Sequence, residues 1–533
     1  MGRLSRDLHS ETLAFLASVF FALACNARFW SKLMEGRDWA SAATWLLALG
    51  TGVALVALHW FFLLLVVNRW TARPLLAVLF ALTAAAVYFM TSYGVYLDDG
   101  MMQNVFQTDW AEASGYLDPE MLWYLLAFAL LPIALLWTVR LKRVEVRRAA
   151  VQRATCLAAA LAAFAAGLMV STGELIPLFR QEKELRYLVT PANFVHSTGR
   201  VAFAAGVAPA HAKAPIAPDA RLAPREAGRK PLALILVVGE SVRAASWGLS
   251  GYTRDTTPEL RRRNVINFAE VKSCGTDTAT SVPCMFSALG RARYDERRIK
   301  ASESLLHLLA RLGVAVLWRD NQSGCKGVCD GLAFERPRDA ESCDANGCYD
   351  EVLLAGLRER IAAARGDALV VLHMLGNHGP AYYQRYPAAF RRWQPTCDSA
   401  RLAGCSREAL LNTYDNAVLY ADHILAKAID ALAGVTTHDT ALLYVSDHGE
   451  SLGEHQLYLH GIPYRIAPDE QTQVPMVLWL SPALRASARV DAACVVKRAS
   501  APASHDNLFH SVLGLFGVQT AAYREELDVM RCR

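Results

Sequence analysis

Hydrophobic and polar positions divide the chain into two regimes. In the first third, apolar residues run in blocks too long for a strand, near 12–30, 41–67, 74–97, 120–139 and 154–172. Each block is long enough, or nearly so, to cross a bilayer as a helix. A cleaved leader accounts for one such block, so the set predicts a five-span anchor over 1–172. From Pro231 the pattern changes to short apolar runs separated by helical stretches. The runs are Leu232–Val238, Val314–Trp318, Ala368–Leu375, Ala441–Val445 and Val474–Leu480. Strands alternating with helices predict a mostly parallel α/β sheet over 231–533. Such sheets place their sites beyond the carboxyl ends of the strands.

Between these regimes, 173–204 mixes apolar residues with Arg180, Lys183, Arg186 and Arg200, a pattern that suits helices lying on a membrane surface. Residues 205–230 are rich in alanine and proline and read as a linker, so 173–230 forms a connecting segment. In the loop at 98–119, Asn104, Thr108 and Glu112 recur at i, i+4 and i+8. On a short helix they would share one face.

Composition sharpens this picture. Hydrophobic residues make up 53% of the 533, while net charge is only +5, so no basic field argues for nucleic acid. Positive charge gathers at Arg3 and Arg6, at Arg69 and Arg73, and again from Arg140 to Arg153. Those ends are expected on the cytoplasmic side, which leaves the C-terminal two-thirds outside. Ten of the twelve cysteines follow residue 270, in the close pairs Cys274/Cys284, Cys325/Cys329, Cys343/Cys348 and Cys397/Cys405, with Cys494 and Cys532 left over. An even, closely spaced set reads as a disulfide framework in an oxidising compartment, although spacing alone leaves the connectivity open. A multi-pass protein of a bacterial inner membrane, facing the periplasm, is the expectation.

The residues that end the predicted strands carry the chemistry. The first strand leads into Glu240, the third into His373 and His378, and the fourth into Asp447 and His448. Carboxylate and imidazole ligands converging at strand ends suit zinc. His455 and His460 lie close in sequence to that set. The stretch Ser273–Ser287 packs hydroxyls ahead of an apolar, helix-like run beginning at Met285. Unpaired N–H groups at a helix start attract phosphate, and a hydroxyl held there against a metal ionises more readily. Thr276, Thr278, Thr280 and Ser281 all fit that description, so the residues themselves narrow a nucleophile to this cluster.

Several segments resemble the lipid A phosphoethanolamine transferases, the group that includes the mobile colistin-resistance enzymes. They are Val-Val-Gly-Glu-Ser-Val-Arg around Glu240, residues 251–258, Ser273–Ala279, Ser281–Ser287, Trp318–Asn321, Gly376–Tyr382 and Val445–Glu454. The resemblance implies an alkaline-phosphatase/sulfatase-like catalytic domain behind a five-helix transmembrane domain. It implies Zn2+ on Glu240, Thr278, Asp447 and His448, with Thr278 as nucleophile. It implies that Ser323, Lys326, His378 and His460 surround the incoming phosphoethanolamine, with His378 or His460 as acid or base. Asn104, Thr108 and Glu112 correspond to residues that hold the donor lipid. The cysteine pairs drawn from proximity are supported too, Cys325/Cys329 less securely because some relatives lack it. Phosphatidylethanolamine is the expected donor, a lipid A phosphate the acceptor, and a monomer among membrane lipids the expected state.

Three rivals are worth stating. A sulfatase-like hydrolase requires arginine where Met285 stands after Ser281-Val-Pro-Cys. A phosphoglycerol transferase would share threonine and zinc but lack the cysteine framework. A non-catalytic membrane sensor is opposed by the joint presence of Glu240, Thr278, Asp447 and His448.

Overall fold

The structure is a computed structural model describing residues 7–531 apart from 109–112, 114–115, 117, 182, 208–212, 225–227, 345–346 and 488–489. The chain divides into one unit of Met1–Met102 with Leu117–Ala208 and another of Gln103–Tyr116 with Pro209–Arg533.

The first unit is helical: α1 (Ser10–Ala24), α2 (Ala27–Met34), α3 (Ala42–Val66) and α4 (Ala72–Tyr93). After α5 (Asp99–Gln107), at the boundary between the units, come α6 (Met121–Thr138), α7 (Val146–Gln181) and α8 (Ala192–Val207). Among the described residues, α3, α4, α6 and the Val146–Thr172 part of α7 are each long and apolar enough to cross a bilayer. The first apolar run differs from the expected single helix: α1 and α2 meet at a 53° bend, and the number of spans is five only if this pair counts as one. Asn26 sits in the break, and its amide donates to Phe21 O at 2.7 Å and Thr190 O at 2.8 Å while accepting from Thr190 N at 2.8 Å. A polar side chain at the break thus pairs the backbone N–H and C=O of Thr190, which lie in an otherwise apolar region. In α6 a π turn at Leu126–Leu130 precedes Pro132, which has no N–H to give to the preceding turn. Leu16, Leu49, Phe62, Leu65 and Leu130 are half exposed or more, as hydrocarbon-facing positions should be.

Helices α3 and α7 approach through glycine. A Cβ on Gly167 would lie 2.6 Å from Gly50 O and 2.7 Å from Ala54 N, and one on Gly50 would lie 2.8 Å from Gly167 O. Backbone cannot yield as a flexible side chain does, so small residues here are what let the helices touch. Gly167→Val is expected to destabilise the protein by about 1–3 kcal/mol, read as a lowered melting temperature in detergent. Gly199→Ala, where an added Cβ meets nothing within 4 Å, should melt at or above the wild-type temperature. Equal melting of Gly167→Val and wild type would show that this contact does not form.

The second unit is built on a seven-stranded sheet. Its strands are β1 (Leu232–Gly239), β2 (Ile266–Phe268), β3 (Ala315–Asp320), β4 (Ala333–Glu335), β5 (Ala368–His373), β6 (Asp439–Ser446) and β7 (Met476–Leu480). They lie in the order β2-β7-β6-β1-β5-β3-β4. The five from β6 to β4 run parallel, whereas β7 pairs antiparallel with β6 and with β2. The last apolar run is therefore a strand as expected but runs against its neighbour. Periodicity carries no information about direction, and it passed over β2 and β4, which have three residues each. Every residue of β1 and β6 is buried, which explains why these strands read as unbroken apolar runs. Three helices bear on the site: α9 (Thr278–Met285), α10 (Arg407–Ala433) and α11 (Asp506–Phe516).

The linker reading needs correction. Val207 is still helical, and 213–224 is fastened to the second unit rather than free. Ala214 pairs with Ser302, Leu222 with Val518, and Ile216 and Leu222 pack on the core. Apolar side chains between the prolines find a surface to bury, and that prevails over the tendency of the composition to stay extended. Similarly, the fifth apolar run is part of a helix that continues to Gln181.

Candidate active site

Strand register assembles the site. Gly239 on β1 opposes Ser446 on β6, so Glu240 and Asp447 are the next residues on adjacent strands. On the other side of β1, His373 opposes Val238. Gly376, at φ +52°, then brings the following loop against Glu240, where a Cβ would lie 2.8 Å from Glu240 O. Asn377 N donates to that same carbonyl at 3.0 Å.

Thr278 opens α9, which begins there and not at Met285. Asp277 is the reason: its carboxylate caps the helix by accepting from Thr280 N at 2.9 Å, a start signal more local than hydrophobicity. Thr278 Oγ1 donates to Glu240 Oε2 at 3.0 Å and lies 3.4 Å from His448 Nε2. The three neighbouring hydroxyls are engaged elsewhere. Thr276 donates to Ile462 O at 2.7 Å, Ser281 donates to Asp447 O at 2.5 Å, and Thr280 bonds Tyr294. Of the four, Thr278 is the hydroxyl that faces the Glu240–Asp447–His448 cluster.

That cluster is buried and crowded with charge. His448 Nε2 lies 3.3 Å from Glu240 Oε1 and 3.3 Å from Asp447 Oδ2, and all three side chains are inaccessible. Burial alone would raise the Glu240 carboxyl, but the hydrogen bond and charge of His448 hold it well below the ordinary range. Burial and the Glu240 charge push Asp447 up to about 6. Burial would lower His448, yet Asp447 and Glu240 together push it up to about 10. Two carboxylates thus face one imidazolium, and the cluster carries more negative charge than that cation offsets. A divalent cation fits that need. Asp447 Oδ2 is buried without a hydrogen-bond partner. His448 Nδ1 donates to Gly449 O at 2.9 Å, so Nε2 is the nitrogen that would ligate a cation on giving up its proton. Glu240, Asp447 and His448 offer ligand atoms within 4.8 Å of one another.

His378 is 3% exposed, and its ring centroid lies 5.8 Å from that of His460, which in turn lies 4.2 Å from that of His448. His460 is thereby brought into the cluster, whereas His455 is exposed on the loop leading to it. Ser323 and Lys326 connect to the site indirectly. Lys326 Nζ donates to Ser323 Oγ at 2.7 Å, Ser323 Oγ donates to Gln322 Oε1, and Gln322 Nε2 donates to Glu240 Oε2 at 2.9 Å. Lys326 also lines a cavity of about 240 Å³ shared with Lys213, Lys300 and Ser287. Of the polar face expected at Asn104, Thr108 and Glu112, the described residues include the first two. Helix α5 ends at Gln107, and Thr108 closes it, its hydroxyl donating to Asn104 O at 2.7 Å. Glu112 lies outside the described residues.

Disulfides join Cys274–Cys284, Cys325–Cys329, Cys343–Cys348 and Cys397–Cys405, and the first brackets Thr278. Cys494 is also disulfide-bonded, and Cys532 lies outside the described residues. Cys25 and Cys156 are free thiols.

Sequence reasoning passed over three residues. Gln322 directly follows the Trp318–Asn321 segment. Glu450 sits two residues beyond His448 in the same short run. His505, far along the chain, accepts from Cys274 N at 3.0 Å and bonds Ser446 O at 2.9 Å, tying the Thr278 loop to the end of β6. The first two were legible as neighbours of chosen residues; His505 carried no local signal.

Comparison with known proteins agrees with this geometry. The family described as "Phosphoethanolamine transferase EptA/EptB" matches residues 55–205, and the sulfatase family matches residues 233–518. Phosphoethanolamine transferase EptA of Salmonella typhimurium (strain LT2) is 39% identical over 97% of this chain and 96% of its own. Phosphatidylethanolamine transferase Mcr-1 of Escherichia coli is 37% identical over 89% and 90%. The solved integral membrane lipooligosaccharide phosphoethanolamine transferase A of Neisseria meningitidis superimposes with a TM-score of 0.94 at 34% identity, covering 98% of this chain and 99% of that one. The chain belongs to the phosphoethanolamine transferases, multi-pass membrane enzymes with a soluble, sulfatase-like C-terminal domain.

Proposed function

We propose that this enzyme transfers phosphoethanolamine from phosphatidylethanolamine to a lipid A phosphate, with its catalytic domain in the periplasm and its helices in the inner membrane. The observation that carries the reading is the Thr278 hydroxyl, 3.0 Å from Glu240 and at the mouth of a buried two-carboxylate, one-imidazole cluster. Glu240, Asp447, His448 and Thr278 would hold Zn2+, which when bound lowers the hydroxyl pKa and offsets charge developing on phosphorus.

Thr278 Oγ1 passes its proton along its 3.0 Å hydrogen bond to Glu240 Oε2 and attacks the donor phosphorus, and the bond from phosphorus to the diacylglycerol oxygen breaks. His460 or His378 gives that oxygen its proton, and phosphoethanolamine stays on the threonine. An oxygen of the lipid A phosphate then attacks, Thr278 leaves and recovers its proton from Glu240, and the acceptor's proton restores the imidazole. Lys326, oriented by Ser323, offsets charge on the phosphoryl oxygens. Asn104, Thr108 and Glu112 would hold the donor headgroup. The product adds an ammonium to an anionic phosphate, so the outer surface loses negative charge and binds polymyxin and other cationic peptides less tightly. The basic clusters at Arg69 and Arg73 and from Arg140 to Arg153 support the orientation, and the disulfides support an oxidising compartment.

Mass spectrometry of lipid A from cells with and without the enzyme tests this reading. A gain of one phosphoethanolamine group, present only with the enzyme, is the expected result. A gain confined to the core sugars would move the acceptor to a sugar hydroxyl, and no gain on either would overturn the reading.

A further inference from the structure

Glu450 is fully buried, two residues beyond His448, and its peptide N–H is fastened to Glu470 O at 2.7 Å. Both of its oxygens are engaged. One accepts the hydroxyl of Tyr382, itself 1% exposed and packed edge-on against Tyr414 at 5.4 Å. The other lies 2.8 Å from His460 Nδ1. A buried carboxylate is stable only where charge or hydrogen bonds compensate it, and here an imidazole and a phenol do so. Because Glu450 accepts, Nδ1 is the protonated nitrogen of His460, and Nε2 is the one left for any reacting oxygen. His460 is the more open member of the pair, with its side chain 12% exposed.

We propose that Glu450 is a positioning residue that fixes His460 in one tautomer and one ring orientation, with Tyr382 holding the second carboxylate oxygen. The proposal rests on the transferase reading above and on the role given there to His460. In the donor half-reaction, the proton on Nε2 passes to the diacylglycerol oxygen as its bond to phosphorus breaks. In the acceptor half-reaction, Nε2 takes the proton of the lipid A phosphate. Glu450 neither gains nor loses a proton in either half. A carboxylate behind an imidazole holds the ring in place and stabilises its charged form, so its removal lowers turnover rather than substrate binding. The rival role for Glu450 is direct: His448, Glu450 and His460 offer ligand atoms within 4.8 Å of one another, so the three could instead ligate a metal.

The test uses the full-length enzyme in detergent with a fluorescent phosphatidylethanolamine, following diacylglycerol release and metal content. Glu450→Gln should lower kcat by about 10²-fold with KM within about twofold, and metal content should be unchanged. The double variant Glu450→Gln/His460→Ala should be no slower than His460→Ala, because Glu450 acts through that ring. Tyr382→Phe should lose several-fold in kcat, and that loss should also vanish in the His460→Ala background. Should Glu450→Gln fail to accumulate, the Tyr382→Phe cycle carries the same test. Multiplying losses in the double variants, full activity in Glu450→Gln, or loss of a metal equivalent from it would each overturn the proposal. Wild-type activity in His460→Ala would remove the role of His460, and the proposal with it, while an inactive Thr278→Ala left the transferase reading standing. An active Thr278→Ala would overturn the transferase mechanism itself.

Discussion

Thr278→Ala is expected to lower phosphoethanolamine transfer at least about 10³-fold while the protein folds and retains its disulfides. The hydroxyl is small and sits in the first turn of α9, where Asp277 caps the helix without its help. Its loss therefore removes chemistry and little packing. Thr278→Ser should recover activity to within about 100-fold of wild type, since the nucleophile returns but the methyl group that restricts χ1 does not. With donor lipid and no acceptor, the wild-type protein should gain one phosphoethanolamine, mapped to the peptide containing Thr278. An adduct on Thr276, Thr280 or Ser281 would place the nucleophile elsewhere. The geometry opposes that outcome, because each of those hydroxyls is committed to Ile462, Tyr294 or Asp447.

The second large effect concerns Asp447. Its Oδ1 accepts from Ser241 N at 3.2 Å and His448 N at 2.7 Å, while Oδ2 is buried without a hydrogen-bond partner. In Asp447→Asn the amide oxygen can keep both backbone bonds, but a nitrogen replaces the oxygen that faces the cluster. The variant should lose bound metal and fall in activity at least about 10³-fold. Its metal-free form should nevertheless melt no lower than the metal-free wild type. The substitution removes a buried carboxylate whose charged form is disfavoured by burial and by the Glu240 charge, and Glu240 remains to pair with His448. Metal analysis and melting of both proteins, with and without chelator, check the two halves together. Full metal occupancy in Asp447→Asn would remove Asp447 from the ligand set. A metal-free variant that melts well below metal-free wild type would show the carboxylate to be a structural anchor instead.

Much of the site was legible because its residues end strands. Short apolar runs buried on both faces announce themselves, and the polar residues just beyond them, Glu240, Asp447 and His448, follow from the rule that parallel sheets gather chemistry at their carboxyl ends. What the pattern could not supply was selection within a local group. Thr276, Thr278, Thr280 and Ser281 are chemically similar and adjacent, and only the direction of each side chain in three dimensions separates them. Glu450 and Gln322 stood beside chosen residues without a periodicity of their own, and His505 reaches the site from 231 residues beyond Cys274.

The sequence by itself determined the division into an apolar helical region and an α/β domain, the positions of the central strands and the inventory of ligand-type residues. These depend on hydrophobic period and residue chemistry, which are local. Tertiary structure alone decided that β7 runs antiparallel, that the first apolar run breaks at Asn26, that 213–224 docks as a fixed segment, and that one hydroxyl of four faces the Glu240–Asp447–His448 cluster. Each depends on which surface a segment meets after the chain has folded, and burial and hydrogen-bond satisfaction between distant residues are not written in the spacing of either segment.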